Sequence, residues 1–282
     1  MNINIVTVDS GWILQKIAQR IYEANPEVFS LSHQSSQDTD ANFYIDVQNC
    51  FKGKTRTLDV GFFTHLHENS ASHLYPYWLT LDHIVHMCSR YLDVFSQFYP
   101  PNKMSLMFPG ELSKEFKLKK PTIGIFQRGE HEGKGFFFMK NLANSEILKN
   151  FKFLITGKGW EGVVDLYRKN NIEVEYRTDE SYDKYPELYS RIDYLLIPSL
   201  WEAGPMSVIE GLGCGIPIIS SDVGWVNGDL EVDYSFEPNN TLELTSILNT
   251  IFNKIKHRRE QVGHLSYKTY GEKLIKTVEN IK

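Results

Sequence analysis

The chain reads as an α/β protein of two doubly wound domains. Short Ile- and Val-rich runs alternate with helically spaced apolar residues along its length. That pattern belongs to parallel sheets with helices on both faces. A length of 282 residues suits one large α/β domain or two of ordinary size. The low-apolar stretch GELSKEFKLKK at 110–120 then divides the alternation in two. The domains are placed at 1–117 and 118–282, with the last helix free to pack back on the first domain.

Residues 2–8 suit a buried strand; Asp9-Ser10-Gly11 breaks it, and 12–22 carries Ile13, Ile17 and Ile21 at helical spacing. Strand, glycine turn and helix open a βαβ unit. The polar run 30–40 reads as loop. Strands follow at 43–47 and 58–63. Residues 79–98 predict one or two helices with a short strand inside, ended by Pro100-Pro101. A second series starts near Pro121. Its strands are expected at 122–126, 151–156, 172–176, 194–198 and 217–220. Its helices are expected at 136–148, 163–169, 185–190, 206–213 and 242–256.

Apolar residues at 41%, charged at 23% and aromatic at 13% exclude a disordered chain, a collagen-like repeat and a disulfide scaffold. A net charge of −5 and a pI near 6.0 supply no global basic field for nucleic acid or an anionic membrane. Cys50, Cys88 and Cys214 are odd in number and form no C-x-x-C pair, so they read as reduced thiols. The start MNINIVTVDSGW lacks the basic and long apolar regions of a signal peptide. No apolar run approaches the ~20 residues that span a bilayer. The expectation is a soluble cytoplasmic protein without stable membrane insertion.

The segment 194–224, YLLIPSLWEAGPMSVIEGLGCGIPIISSDVG, concentrates the chemistry. A strand ends at Pro198-Ser199, Glu202 follows, and Gly204-Pro205 opens a helix with proline in its first turn. Glu210 lies eight residues after Glu202, roughly 9 Å and two turns along such a helix. The free N–H groups around Ala203, Gly204, Pro205, Met206 and Ser207 then form an anion site between two carboxylates. A diphosphate at the helix N-terminus, a sugar beside one glutamate and a ribose beside the other match that span.

These residues resemble the GT-B glycosyltransferases, and glycosyltransferase family four in particular. That family's signature is a glutamate, seven residues and a second glutamate, followed by G-x-P, two apolar residues and x-S-D-x-G. The chain supplies Glu202, Glu210, Gly215, Pro217, Asp222 and Gly224 in that order. The family also carries an arginine and a lysine six apart after the first strand of the second domain, matched by Arg128 and Lys134 in IGIFQRGEHEGKG. ITGKG, with Gly157, and ELYSRIDYLLIPS match further strand ends. The likeness covers about 121–228 well and the N-terminal half in outline.

The resemblance implies a GT-B fold, two Rossmann-like domains facing a central cleft. It implies transfer of a hexose or related sugar from a UDP- or GDP-sugar, with retention. The nucleotide-sugar is a substrate, and no cofactor is expected. The implied donor set is Gly11, Arg128, Lys134, Gly157, Glu202, Ala203, Gly204, Pro205, Met206, Ser207 and Glu210. His65, Glu202, Arg128 and Lys134 are implied in catalysis. A glycan, a lipid-linked sugar, a protein or a modified nucleic acid would serve as acceptor. A nucleotide-sugar epimerase or hydrolase of the same fold is one rival reading, and a non-catalytic binder is another.

The chemistry agrees with this assignment. Departure of a nucleoside diphosphate develops negative charge, which arginine binds in a fork and lysine meets as a point charge. Losing one such donor costs ~2.7–4 kcal/mol of transition-state stabilisation. Charge met in this way needs no metal. Asp38-Thr39-Asp40 has the D-x-D form of a metal-dependent site but sits in a polar run and reads as loop. Six of nine histidines precede Pro121, and FFTHLHENSASH gathers His65, His67 and His73. They show no H-x-H-x-D-H or H-E-x-x-H pattern, which argues against a metal. His65 stands at the expected carboxyl end of a strand, where open α/β sheets place ligands. Gly11 matches a family glycine that lets backbone approach donor or acceptor.

Overall fold

The computed structural model describes residues 1–7, 11–47, 55–64, 79–97, 99–110, 116–178 and 180–282. It divides into two compact units, Met1–Phe116 with Glu260–Lys282, and Lys117–Arg259. Each is built on a six-stranded, all-parallel sheet.

In the first unit the strands are β1 (Ile3–Val6), β2 (Phe29–Ser32), β3 (Ala41–Tyr44), β4 (Leu58–Phe63), β5 (His83–His86) and β6 (Met104–Leu106). Their order is β2-β1-β3-β4-β5-β6, with Ile3 opposite Phe29 and Ala41. Helix α1 (Ile13–Ala24) buries Leu14, Ile17, Ala18 and Ile21 against one face. The short helix α2 (Leu92–Phe95) sends Phe95 to the other face, beside Phe63 and Tyr99. β2 lies mostly in the polar run that reads as loop, and β6 in a segment whose pattern predicts no element. Both are edge strands, half-buried, with serines where a core strand would carry branched apolar residues. The span 79–98 holds β5, a 3-10 turn and one four-residue helix.

The second unit's strands are β7 (Thr122–Phe126), β8 (Lys152–Thr156), β9 (Glu173–Arg177), β10 (Tyr194–Ile197), β11 (Ile218–Ser221) and β12 (Tyr234–Phe236). Its helices are α3 (Phe136–Leu142), α4 (Glu161–Lys169), α5 (Tyr185–Tyr189), α6 (Met206–Gly213) and α7 (Thr241–Glu260). The alternation along β10 shows why both faces are covered. Leu196 joins the core with Phe138, Val163 and Leu248, while Leu195 and Ile197 join Leu188, Tyr189 and Val208. The order β12-β11-β10-β7-β8-β9 is the Rossmann order read backwards. It reverses between β7 and β10, and ligands of such sheets bind beyond the carboxyl ends of the strands at that point.

The last helix, α8 (Tyr267–Ile281), belongs to the first unit and packs on α1, burying Tyr270, Leu274 and Val278. Among the described residues no helix is long and apolar enough to cross a membrane.

Candidate functional site

The site grows from two loops at the β7–β10 reversal. After β7 the chain passes through Gln127 and Arg128 to a 3-10 turn, Glu132–Lys134, which Gly135 closes at φ +79°. Only glycine fits there, because a Cβ would run into the Pro198 carbonyl at the end of β10. The close approach is fastened by the Leu200 N–H, which donates to the Gly133 carbonyl at 2.6 Å, and by Gln127 Nε2, which donates to the Lys134 carbonyl at 2.8 Å. Lys134 is thereby delivered to the loop after β10.

Lys134 Nζ donates to Glu202 Oε1 there, and Ser199 Oγ donates to the same oxygen at 2.8 Å. Ser199 is fully buried, and its carbonyl accepts from Ser221 Oγ on β11 at 2.5 Å. The Lys134 and Glu202 side chains are 27% and 11% exposed, so the pair is partly desolvated and stronger than a surface pair.

The chain then turns at Gly204, where a Cβ would run into the Trp225 ring. Gly224, at φ +60°, backs the Ala203 carbonyl, 2.5 Å from where a Cβ would stand. Pro205 caps α6 with extended backbone, φ −70° and ψ 110°, and makes no side-chain cap hydrogen bond, so among the described residues no side chain caps the first N–H groups. The helix therefore begins at Met206, where the expected 206–213 range starts, and not at Gly204-Pro205. Glu210 consequently lies about one turn in, ~6 Å from the start, and not two turns.

Glu210 is held by two phenols. Tyr189, almost fully buried, donates to Oε2 at 2.6 Å, and the exposed Tyr182 donates to Oε1. Burial raises the Tyr189 phenol pKa, and the bond to Glu210 raises it further. Tyr185 is also raised, by burial and by Glu210, while the positive charge of Arg128 pulls it back.

Lys134, Glu202, Gly204, Pro205, Met206, Ser207 and Glu210 line one cavity of about 310 Å³, with Phe126, Gln127, Tyr182 and Tyr185. Tyr182, Tyr185 and Glu210 also line a second cavity of about 520 Å³ with Pro186, Tyr189 and Cys214. A 750 Å³ depression at the amino ends of the strands, by Thr122 and Lys152, is remote from this chemistry. There Lys152 and Arg191 are already paired with Glu173 and Glu175.

The remaining residues singled out by sequence sit as follows. Arg128 is exposed, outside the lining of both cavities, and makes no ion pair among the described residues. Gly157, at φ +114°, lies against the Gln127 carbonyl, a strand-to-strand approach that itself demands glycine. Gly11 belongs to the first unit; it turns at φ +62° and donates its N–H to Gln15 Oε1 at 2.7 Å. His65, His67 and His73 lie outside the described residues. Among the described residues no three His, Cys, Asp or Glu side chains are grouped to hold a metal ion. The tyrosines around Glu210 were missed by sequence reasoning. Their signal was the spacing of YDKYPELY, which puts Tyr182, Tyr185 and Tyr189 on one side of a helical turn.

Residues 120–253 match the model of the family described as glycosyl transferases group 1. An uncharacterized glycosyltransferase of Methanocaldococcus jannaschii is 27% identical over 147 residues, 49% of this chain and 42% of that protein. Protein CapJ of Staphylococcus aureus is 25% identical over 128 residues, 44% of this chain and 32% of that one. The chain thus spans less than half the length of these relatives. The catalytic domain of cholesterol-α-glucosyltransferase from Helicobacter pylori aligns with 55% of this chain and 99% of its own, at 20% identity and a TM-score of 0.42. Residues 120–253 thus resemble the glycosyl transferases group 1 family.

Proposed function

We propose that the chain transfers a sugar from a nucleotide-sugar donor to an acceptor hydroxyl, and that residues 117–259 hold the donor. One observation carries this reading. An ammonium, two carboxylates and an uncapped helix N-terminus meet in a single cavity at the reversal of a Rossmann sheet.

A nucleoside diphosphate matches that set. Its phosphates would face the N–H groups at the start of α6, with Lys134 turning from Glu202 to the phosphate nearest the sugar. Arg128, exposed and without an ion pair among the described residues, is free to fold over the same group as a fork. Glu202 would accept from sugar hydroxyls, and Glu210 from the ribose. In transfer the bond between sugar C1 and the diphosphate oxygen breaks, and its electron pair leaves with the diphosphate. The acceptor oxygen bonds to C1. In a retaining reaction its proton passes to the leaving oxygen. The developing charge falls where Lys134, Arg128 and the helix N-terminus act, so no metal is required.

The test is a panel of UDP- and GDP-sugars with product detection, against glycan, lipid-linked sugar, protein and modified nucleic acid acceptors. A transferred sugar whose anomeric configuration matches the donor, formed undiminished in EDTA, supports the reading. Loss in EDTA with recovery on adding manganese would remove metal independence. Donor hydrolysis without transfer to any acceptor would replace transferase by hydrolase. His65 is proposed to act on the sugar: His65→Ala is expected to lower transfer by roughly 10²-fold at unchanged diphosphate affinity.

A further inference from the structure

The two cavities share a wall made by Tyr182, Tyr185 and Glu210. On one side stand the Lys134 ammonium and the uncapped start of α6, a place for phosphate. On the other stand tyrosine rings and Pro186, a flat apolar place for a nucleobase. The carboxylate between them is where a ribose would stand. Its two oxygens are held unequally. Tyr189 is 3% exposed, its ring packs edge-on to Phe126 at 4.9 Å, and it donates to Oε2. Tyr182 is 67% exposed, its ring meets Tyr185 at 5.3 Å, and it donates to Oε1. Moving Tyr189 would open the core, whereas moving Tyr182 only exchanges one exposed hydrogen bond.

We propose that Tyr182 is a gate for the nucleoside: its phenol holds the Glu210 oxygen that a ribose hydroxyl takes, and its displaced ring then stacks on the base. The inference rests on the reading of this site as a nucleotide-sugar site. Tyr182 stands in the wall common to both cavities, so a nucleotide lying across them must displace it. The freed ring remains beside Tyr185, and an aromatic face accepts any base. This makes Tyr182 a positioning residue whose hydroxyl and ring act in opposite directions on affinity.

Calorimetry on the full chain with UDP, GDP, their 2′,3′-dideoxy forms and inorganic pyrophosphate separates these effects. Tyr182→Phe keeps the ring and removes the competing O–H. It is expected to tighten UDP or GDP binding about threefold to tenfold. Pyrophosphate binding should stay unchanged, because it brings no nucleoside to Tyr182, whereas the dideoxy forms, which displace the ring without bonding Glu210, should tighten as well. Tyr182→Ala is expected to bind UDP or GDP at least about fivefold more weakly than Tyr182→Phe, having lost the stacking face. The gain from Tyr182→Phe should vanish in the Glu210→Ala background. Wild-type nucleotide binding that Tyr182→Phe leaves unchanged or weakens would overturn the gate and leave the proposed function standing. An equal gain with pyrophosphate would overturn it as well. Failure of any nucleotide to bind the wild type would overturn both.

Discussion

Lys134 and Arg128 arrive from the same loop but meet different surroundings, and their variants should differ accordingly. Lys134 is tied to Glu202, which is nearly buried and shares its bound oxygen with Ser199. Lys134→Ala leaves that carboxylate partly desolvated and uncompensated as well as removing a donor. We expect turnover to fall about 10²- to 10³-fold, with weaker nucleoside-diphosphate binding in calorimetry. Arg128→Ala should leave the melting temperature unchanged, because its side chain is exposed and makes no ion pair among the described residues. Its cost should appear in kcat, about tenfold. In the first unit, His83 is buried in β5 with Nε2 on Ser105 Oγ at 2.8 Å and no hydrogen bond at Nδ1 among the described residues. Burial, with a smaller push from Lys103, lowers its pKa from 6.5 to about 4. The folded state thus binds the proton less well than the unfolded chain. The stability it contributes is complete above pH 6.5 and is lost as pH falls to about 4, about 3 kcal/mol in all. Urea titrations of wild type and His83→Gln across that window should show the variant losing less stability on acidification.

The elements matter through the turns that join them. Gly135 and Gly215 both take positive φ, +79° and +68°, but only Gly135 has backbone against the place of its missing Cβ. Gly215→Ala should cost only the left-handed penalty of ~1–2 kcal/mol and leave activity intact. Gly135→Ala must also push β10's Pro198 carbonyl away and, with it, separate Lys134 from Glu202. Its urea midpoint should fall further and its activity should drop with it. Most strands of the second unit were legible in outline, as at β8 and β10, where a short apolar run is closed by Gly157 or Pro198. β2, β6 and β12 were not, since edge strands of three or four residues are made by pairing with a neighbour and not by their own pattern. α6 starts at Met206, as its expected range has it, and not at Gly204-Pro205, because proline serves as well just before a helix as in its first turn.

At the scale of the molecule, α8 is distant in sequence from the unit it completes. Leu274 is fully buried there in a core built by β1, β3, β4 and α1. Leu274→Ala should cost ~2–5 kcal/mol, and calorimetry should show it as an earlier transition of the first unit. Nucleoside-diphosphate affinity, which we assign to residues 117–259, should be retained. Equal loss of both would mean that the units unfold as one.

Local order was written in the sequence: alternating runs marked the α/β class, and the spacings Arg128 to Lys134 and Glu202 to Glu210 marked two stretches as chemical. Periodicity and turn residues carry such information because they act over a few positions. Tertiary structure alone decided which of these groups meet. Lys134 reaches Glu202 across 68 residues because parallel pairing sets β7 beside β10. Tyr182 and Tyr189 reach Glu210 across 28 and 21 residues because α5 and α6 cover the same face of the sheet. Arg128, equal to Lys134 in the motif, is left in solvent. Spacing along the chain fixes distance only within an element; between elements, the sheet order fixes it.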